Sequence, residues 1–276
     1  MKEILKPEDY VEPACPFCTD AYKTEKPREN VPVDRVLSRF DALLSKNDTD
    51  GASRHLNYWL EECDRVGDLR ARLTLLDEKM GLMRKMGNDA EASAAANEAI
   101  RLIPLLKQEN TQCHGTVLLN AATVNKAFGR NRAAIELYEK SRLILESLPT
   151  PPSLLAGLYN NAATAYTSEN DYKKARMLFE KALNIMLATE NGECDAAITC
   201  LNLADLTAAE KGAEDGEKEI EEYLDKAEAL LEARRYESEG YYAFVCEKCA
   251  PVFLHYGRFL YAKELKTRSE DIYERA

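Results

Sequence analysis

Two pairs of cysteines have the spacing that a metal site or a redox site requires. Cys15 and Cys18 stand in ACPFCTD, and Cys246 and Cys249 stand in VCEKCAP. A C-x2-C pair supplies half of a tetrahedral thiolate site, so two pairs complete one zinc site within one chain or between two chains. The first pair also has the C-P-x-C form of thioredoxin-like proteins, but no strand pattern precedes it and no βαβ pattern follows it.

The second cysteine pair can also be explained by packing in the protein core, without zinc binding or redox activity. Cys246 and Cys249 are three residues apart in a helical pattern, where small apolar residues pack against a neighbouring helix. The Pro-rich setting of Cys15 and Cys18 suits a metal-binding loop, and the chain before Val33 reaches far if it is extended at ~3.3 Å per residue. We expect buried thiols at the second pair and no bound cofactor, with a shared four-thiolate zinc site as the alternative.

The remaining residues that could do chemistry form no catalytic pattern. Cys63, Cys113, Cys194 and Cys200 lack ligand spacing, and the three histidines lie far apart without an acid or a nucleophile at motif spacing. The sequence also contains no glycine-rich phosphate loop and no H-E-x-x-H motif. We therefore expect that the protein is not an enzyme.

Asparagine recurs at one place in three helical segments, although it is a poor helix former whose side chain competes for backbone groups. The segments are LLNAATV at 118–124, YNNAATA at 159–165 and CLNLADL at 200–206. Asn120, Asn161 and Asn202 are thus separated by 41 residues in each step. An equal spacing of this kind predicts that the helices which carry these asparagines belong to a structural repeat.

The composition limits the class of partner. The chain has 276 residues, 45% of them hydrophobic and 31% charged, and a net charge of −11. This acidic balance argues against nucleic acid and anionic membrane surfaces, which require a basic face. We see no apolar segment of the secretory type and no stretch near the ~18 apolar residues of a membrane span. Eight cysteines without an export signal favour reduced thiols, so we expect a cytoplasmic protein.

A pattern of about 41 residues repeats along most of the chain. GRNRAAIELYEKS at 129–141 and NDYKKARMLFEKA at 170–182 share a turn residue, an alanine, an aromatic residue and a final small residue at equal spacing. Looser copies begin at Gly87 and Gly257 and lack the aromatic residue. The final small residues, which we call the anchors, are Ala99, Ser141, Ala182, Ala227 and Ser269. A small residue also recurs in the preceding helix, at Ala122, Ala163, Ala204 and Ala250.

The repeat has the physical pattern of helix–turn–helix units. Apolar residues recur at i, i+3, i+4 and i+7 within each unit, and no unit can bury its apolar face without a neighbour. The extra residues between Ala182 and Ala227 fall in AAEKGAEDGEKE, which predicts a longer polar turn. We therefore predict an all-α, right-handed superhelix of five to six repeats and about twelve helices over residues 33–276, preceded by an extended N-terminal arm at 1–32.

This pattern resembles the tetratricopeptide repeat (TPR) family, most specifically in the two middle repeats. The matching residues in one repeat are Ala162, Ala163, Tyr166, Asn170, Ala175, Phe179 and Ala182. Those in the preceding repeat are Ala121, Ala122, Gly129, Ala134, Tyr138 and Ser141. The period is longer than the family's usual ~34 residues, and in this it is similar to the TPRs of kinesin light chain and of Gram-positive peptide-sensing regulators.

The resemblance implies a concave groove lined by the first helix of each repeat. Each recurring asparagine precedes a packing residue, so the helical turn points it toward that groove. A carboxamide both donates and accepts hydrogen bonds and can bracket the peptide units of an extended ligand. The other groove candidates are Asn160, Thr123, Thr164, Lys126, Asp205, Arg84, Lys85 and Lys248. The alternative is that the asparagines cap or bridge neighbouring helices.

The favoured function is that of a scaffold that binds a protein or peptide segment in its groove. The groove candidates carry both charges and lack the Lys/Arg set of TPR clamps that grip a C-terminal carboxylate. Two rival functions stay open at this point. One is a metal- or redox-active protein that uses the two cysteine pairs. The other is self-association in which the Pro-rich N-terminal arm fills the groove.

Overall fold

The computed structural model describes residues 30–46, 48–233 and 239–275. Every regular element in these ranges is an α-helix. The helices are α1 Val33–Leu44, α2 Thr49–Val66, α3 Leu69–Lys85, α4 Asp89–Leu105, α5 Gln112–Ala127, α6 Asn131–Glu146, α7 Pro152–Ser168, α8 Tyr172–Ala188, α9 Glu193–Lys211, α10 Ala213–Ala233, α11 Glu239–His255 and α12 Phe259–Arg275. None of them is both long enough and apolar enough to cross a membrane.

The described helices form consecutive pairs within two compact units. The described part of the first unit is residues 30–150, with α1 to α6, and that of the second is residues 151–275, with α7 to α12. Within the first unit α5 packs on both α3 and α4, and within the second α9 packs on both α7 and α8. The predicted all-α helix–turn–helix repeat is confirmed, with six pairs in the part of the chain that the structure describes.

The turn inside four of the pairs contains one residue with a left-handed backbone at the same repeat position. Gly87, Gly129, Asn170 and Gly257 have φ between +62° and +79° and stand at the turn residue of the sequence repeat. Glycine adopts this conformation without a steric penalty, and asparagine tolerates it better than most other residues. The chain therefore reverses at the same place in each of these four repeats.

The anchors are buried residues on the second helix of each pair. Ala99, Ser141, Ala182 and Ala227 are fully buried, and Ser269 is 4% exposed. The Ser141 hydroxyl also donates a 2.7 Å hydrogen bond to the carbonyl of Gly115, one helix away. Small side chains are needed here because a larger one would hold the helices apart and leave voids around it.

The predicted longer turn in AAEKGAEDGEKE is wrong. Only Gly212 separates α9 from α10, and the two helices have 19 and 21 residues. Alanine, glutamate and lysine are strong helix formers, so the additional residues extend both helices. The extra length of this repeat is therefore helical.

The N-terminal arm lies almost entirely outside the described residues. Its last residues, 30–32, lead directly into α1, and the backbone N–H of Val31 donates to the buried Asp68 at 3.1 Å. Cys15 and Cys18 fall outside the described part of the chain. The proposal that the arm fills a groove, and the metal role of the first cysteine pair, therefore stay predictions.

Candidate functional site

The predicted groove residues all lie on the first helices of the pairs, and they divide between the two units. In the first unit Arg84 and Lys85 end α3, while Asn120, Thr123 and Lys126 lie on α5. In the second unit the predicted residues are Asn160, Asn161 and Thr164 on α7, Asn202 and Asp205 on α9, and Lys248 on α11. We therefore describe two surfaces, one in each unit.

Asn120 connects two neighbouring first helices in the first unit. Its Nδ2 donates to both carboxylate oxygens of Asp77 on α3, at 2.8 and 2.9 Å. The alternative that an asparagine bridges neighbouring helices describes this contact. The amide group is used inside the protein, so Asn120 has less capacity for an external ligand than an asparagine without a partner.

Burial changes the titration of Asp77. Desolvation raises its pKa from 3.8 to about 6, and the hydrogen bond from Asn120 opposes this rise. A carboxylate removed from water loses hydration that a single amide only partly replaces. Asp77 is not predictable from the sequence, because an isolated aspartate in a helix carries no motif.

The other predicted residues of the first unit differ in their surroundings. Thr123 donates to the carbonyl of Leu119 at 2.9 Å and lies 3.1 Å from the hydroxyl of Tyr138, so its hydroxyl is used in packing. Arg84 and Lys85 are exposed, and Lys126 is half-buried. This surface therefore combines satisfied polar groups with two exposed cations at the end of α3.

Asn160 also bridges two first helices, in the second unit. Its Nδ2 donates to the Thr199 hydroxyl on α9 at 2.8 Å, and that hydroxyl donates in turn to the carbonyl of Asp195 at 2.8 Å. The threonine proton is used, so Asn160 has to be the donor of this pair. Its carbonyl oxygen is buried and has no hydrogen-bond partner among the described residues.

Asn161 and Asn202 differ from Asn120 and Asn160. Both are half-buried, on the packed helices α7 and α9, and neither side chain makes a hydrogen bond to any described residue. Thr164, one turn further along α7, donates to the backbone carbonyl of Asn161 at 2.8 Å and leaves the amide side chain unengaged. Two carboxamides at equivalent positions of adjacent repeats are thus available.

Two acid–tyrosine pairs connect α9 to α11 and to the residue that directly follows α11. The Tyr241 hydroxyl donates to Asp195 at 2.6 Å, and the Tyr256 hydroxyl donates to Asp205 at 2.9 Å. Desolvation raises the pKa of both carboxyls, although each hydrogen bond opposes the rise. Sequence reasoning included Asp205 but missed Asp195 and both tyrosines, because the partners are 46 and 51 residues apart.

Aromatic side chains give α11 an apolar, exposed part. Tyr241 and Phe244 stack with ring centroids 6.2 Å apart, and the Lys248 ammonium lies 5.6 Å from the centroid of the Phe244 ring. Both rings are exposed. The first helices of the second unit therefore present amides, carboxylates, a cation and aromatic faces, and these groups suit binding better than bond-breaking chemistry.

The second cysteine pair is in the core. Cys246 is fully buried, Cys249 is 1% exposed, and burial raises the pKa of Cys249 to about 12. A thiol with so high a pKa is a poor nucleophile at neutral pH. Among the residues that the structure describes, no three His, Cys, Asp or Glu side chains are grouped so that they could hold a metal ion.

Comparison with known sequences identifies the central repeats. Residues 113–188, which include the two middle repeats and two of the three asparagines, match the Tetratricopeptide repeat family. A comparison with curated proteins finds no match.

Solved structures of the same fold cover most of the chain. One of them contains the nearly identical TPR-like repeats of a kinesin light chain from Podosopora anserina. Its sequence is 18% identical to this chain, the TM-score is 0.52, and the match covers 73% of this chain and 94% of that chain. BtubC (BKLC) from P. vanneervenii is 19% identical, with a TM-score of 0.52, and covers 88% and 91%. A Rap protein complexed with Competence and Sporulation Factor is 14% identical, with a TM-score of 0.51, and covers 86% and 75%.

Proposed function

We propose that this chain, in which residues 113–188 match the Tetratricopeptide repeat family, is a non-catalytic scaffold that binds an extended protein or peptide segment. The binding surface is the row of first helices α7, α9 and α11 in the second unit. Its central groups are Asn161 and Asn202. No cofactor takes part, and the protein acts in the cytoplasm.

The observation that carries this proposal is that the carboxamides of Asn161 and Asn202 make no hydrogen bond to any residue that the structure describes. A half-buried amide that makes no hydrogen bond inside the protein needs another partner, which is either water or a ligand. The backbone of an extended segment offers N–H and C=O groups at regular spacing, and one carboxamide can pair with both. Asn161 and Asn202 stand on adjacent packed helices, so they can contact successive parts of one segment.

The surrounding groups specify the ligand further. Asp195 and Asp205 each accept one hydrogen bond from a tyrosine, and a carboxylate can accept several more. The exposed rings of Tyr241 and Phe244 offer apolar faces nearby on α11. A segment with a lysine or arginine next to an apolar side chain would match both features. The solved complex of a Rap protein with Competence and Sporulation Factor shows that this fold can hold a ligand.

The test compares asparagines that differ in their surroundings. A binding peptide is first selected from a library with the wild-type chain, and its Kd is then measured for the Asn161→Ala/Asn202→Ala variant. If the hydrogen bonds of each asparagine contribute roughly 0.5–1.5 kcal/mol to the binding free energy, the loss of both should raise Kd by about 5- to 150-fold. Stability should hold, because alanine is the better helix former.

Two single variants complete this experiment. Asn97→Ala changes an exposed asparagine on the second helix α4 and should leave Kd and stability unchanged. Asn120→Ala removes the hydrogen bonds to Asp77 and should reduce the free energy of unfolding by about 1.5–3 kcal/mol. If the Asn161/Asn202 double variant binds the selected peptide as tightly as wild type, the proposed surface is wrong.

A further inference from the structure

A mainly apolar cavity of about 560 Å³ opens between α11 and α12. Leu254, Phe259 and Tyr273 line it and are 53%, 65% and 50% exposed. Pro251 and Ala262 add to the apolar floor. The charged side chains that line the cavity are Glu247, Lys263, Lys266 and Glu270. No described residue covers this cavity.

Earlier repeats show what the same face does when a neighbour covers it. In the four earlier repeats, the residue four positions after the anchor is at most 3% exposed; these residues are Ile103, Leu145, Met186 and Leu231. The equivalent residue after Ser269 is the half-exposed Tyr273. The last pair thus places a large side chain at a position that is otherwise inside the core.

In three of the four earlier repeats, the residue six positions before the anchor makes a polar contact with the next repeat. These residues are Ser93, Arg176 and Glu221, and the fourth is the apolar Ile135. Ser93 on α4, six positions before Ala99, accepts a 2.9 Å hydrogen bond from Arg130, which lies in the turn that follows α5. Arg176 on α8 pairs with Glu210 on α9 at 2.6 Å, and Arg258, in the turn before α12, pairs with Glu221 on α10. Lys263 holds this position in the last pair and makes no ion pair with any described residue.

A second position shows the same relation. Asp77 and Asn160 each stand 22 residues before their anchors. Asp77 accepts a hydrogen bond from Asn120, and Asn160 donates one to Thr199; both partners lie on the first helix of the next repeat. The equivalent residue of the last pair is the exposed Glu247, on the edge of the cavity. The face of α11 and α12 therefore repeats both the apolar floor and the polar contact points of a covered repeat.

We propose that this face, formed by Leu254, Phe259, Lys263 and Tyr273, binds an amphipathic α-helix of a partner protein in the place of a next first helix. The partner helix carries small and apolar residues on one side and a carboxylate that meets Lys263. Charge complementarity argues for the carboxylate, because Arg176, the other cation at this position, pairs with Glu210 of the helix that covers it.

Head-to-tail stacking of a second copy fits less well. The exposed residues of α1, which would be the first helix to meet this face, are charged or polar: Asp34, Arg35, Ser38, Arg39 and Asp41. A polar outer face is what repeat proteins use to end a stack. The exposed face of α1 has this property, whereas the face formed by α11 and α12 has an open apolar cavity.

The probe for this site is a synthetic peptide of residues 193–211, the sequence of α9, which covers the equivalent face of α7 and α8. It is acetylated, amidated and fluorescently labelled, with serine in place of Cys194 and Cys200, and its binding to the whole chain is followed by anisotropy. We expect saturable binding that Leu254→Ser weakens by about ten-fold, because an apolar contact is lost.

A charge exchange tests the register of the helix. Lys263→Glu should weaken binding of this peptide by about three-fold or more, and a peptide with Glu210→Lys should regain the lost affinity for that variant. Lys218→Glu, at a position that is 93% exposed on α10, is the matched control and should change nothing. Absence of saturable binding, equal effects of Lys263→Glu and Lys218→Glu, or concentration-dependent self-association that Leu254→Ser abolishes would each overturn the proposal.

Discussion

Asparagine at one repeat position has two different uses in this protein. Asn120 contributes its amide to a partly buried carboxylate, whereas Asn161 and Asn202 make no side-chain hydrogen bond to described residues. The difference comes from the neighbouring helix, which presents an aspartate to Asn120. Identical residues at equal spacing can therefore stabilise one unit and remain available for binding in the other.

Asp77 gives the first unit a measurable pH dependence. Its folded pKa of about 6 lies above its ordinary value of 3.8, so the folded state holds the proton more tightly than the unfolded state. Stability should therefore fall as pH rises from about 4 to about 6, and stay constant above that range. Asp77→Asn should remove the contribution of Asp77 to this fall, while Asp195 and Asp205, whose pKa values are also raised, keep theirs. The substitution should stabilise the protein at pH 7 by about 1–3 kcal/mol. Urea titrations of both proteins at pH 4.5, 6 and 8 check this, and parallel pH profiles would contradict it.

Two glycines in the helices differ in how much space surrounds them. A Cβ atom on Gly115 of α5 would lie 2.5 Å from Leu145 on α6, whereas one on Gly157 of α7 would meet nothing within 4 Å. Leu145 is fully buried and cannot move without disturbing the core. The contact, rather than the helix propensity, should decide the effect of an alanine at Gly115.

The prediction at this scale concerns both glycines. Gly157→Ala should stabilise the protein by about 0.5–1 kcal/mol, because alanine costs less backbone entropy in a helix. Gly115→Ala should destabilise it by about 1–3 kcal/mol through overpacking, and the added Leu145→Val change should recover part of this loss. Denaturant titration measures all three, and a stabilising Gly115→Ala would show that α5 and α6 are further apart than described.

The protein as a whole combines a net charge of −11 with arginines that bridge acidic groups of successive helices. Arg258 contacts Glu221, Asp225 and Glu228 on α10, and Arg176 contacts Glu210 and Glu219. Each arginine gathers carboxylates that would otherwise repel one another. These contacts join neighbouring repeats only, as in other proteins whose stability is a sum of nearest-neighbour terms.

The six cysteines of the described residues should respond only to unfolding. All six are buried, and burial raises the pKa of Cys63 to about 12 and that of Cys200 to about 11. In a Cys15→Ser/Cys18→Ser variant, a thiol reagent at pH 8 should find no rapidly reacting group in the native protein and six in denaturant.

Elemental analysis of the wild-type chain completes this test. We expect less than one zinc per chain. One tightly held zinc that is lost in the Cys15→Ser/Cys18→Ser variant would instead favour the shared thiolate site.

The sequence by itself determined the repeat. Glycine or asparagine at the turns, the small anchors and the helical spacing of apolar residues are local requirements, and each leaves a mark at a fixed distance along the chain. For this reason the twelve described helices and their pairing were predictable. The one error concerned AAEKGAEDGEKE, where polar composition was interpreted as a turn although its residues favour a helix.

Only the tertiary structure decided which polar groups have partners. The contacts of Asn120 with Asp77, Asn160 with Thr199 and Tyr241 with Asp195 join residues 43, 39 and 46 positions apart. The partner of a side chain across a helix interface depends on how the two helices are rotated and shifted relative to each other. Composition and periodicity do not determine that rotation or that shift. The same packing covers Ile103 and Met186 and leaves Tyr273 half-exposed, because burial depends on whether another helix stacks on that face.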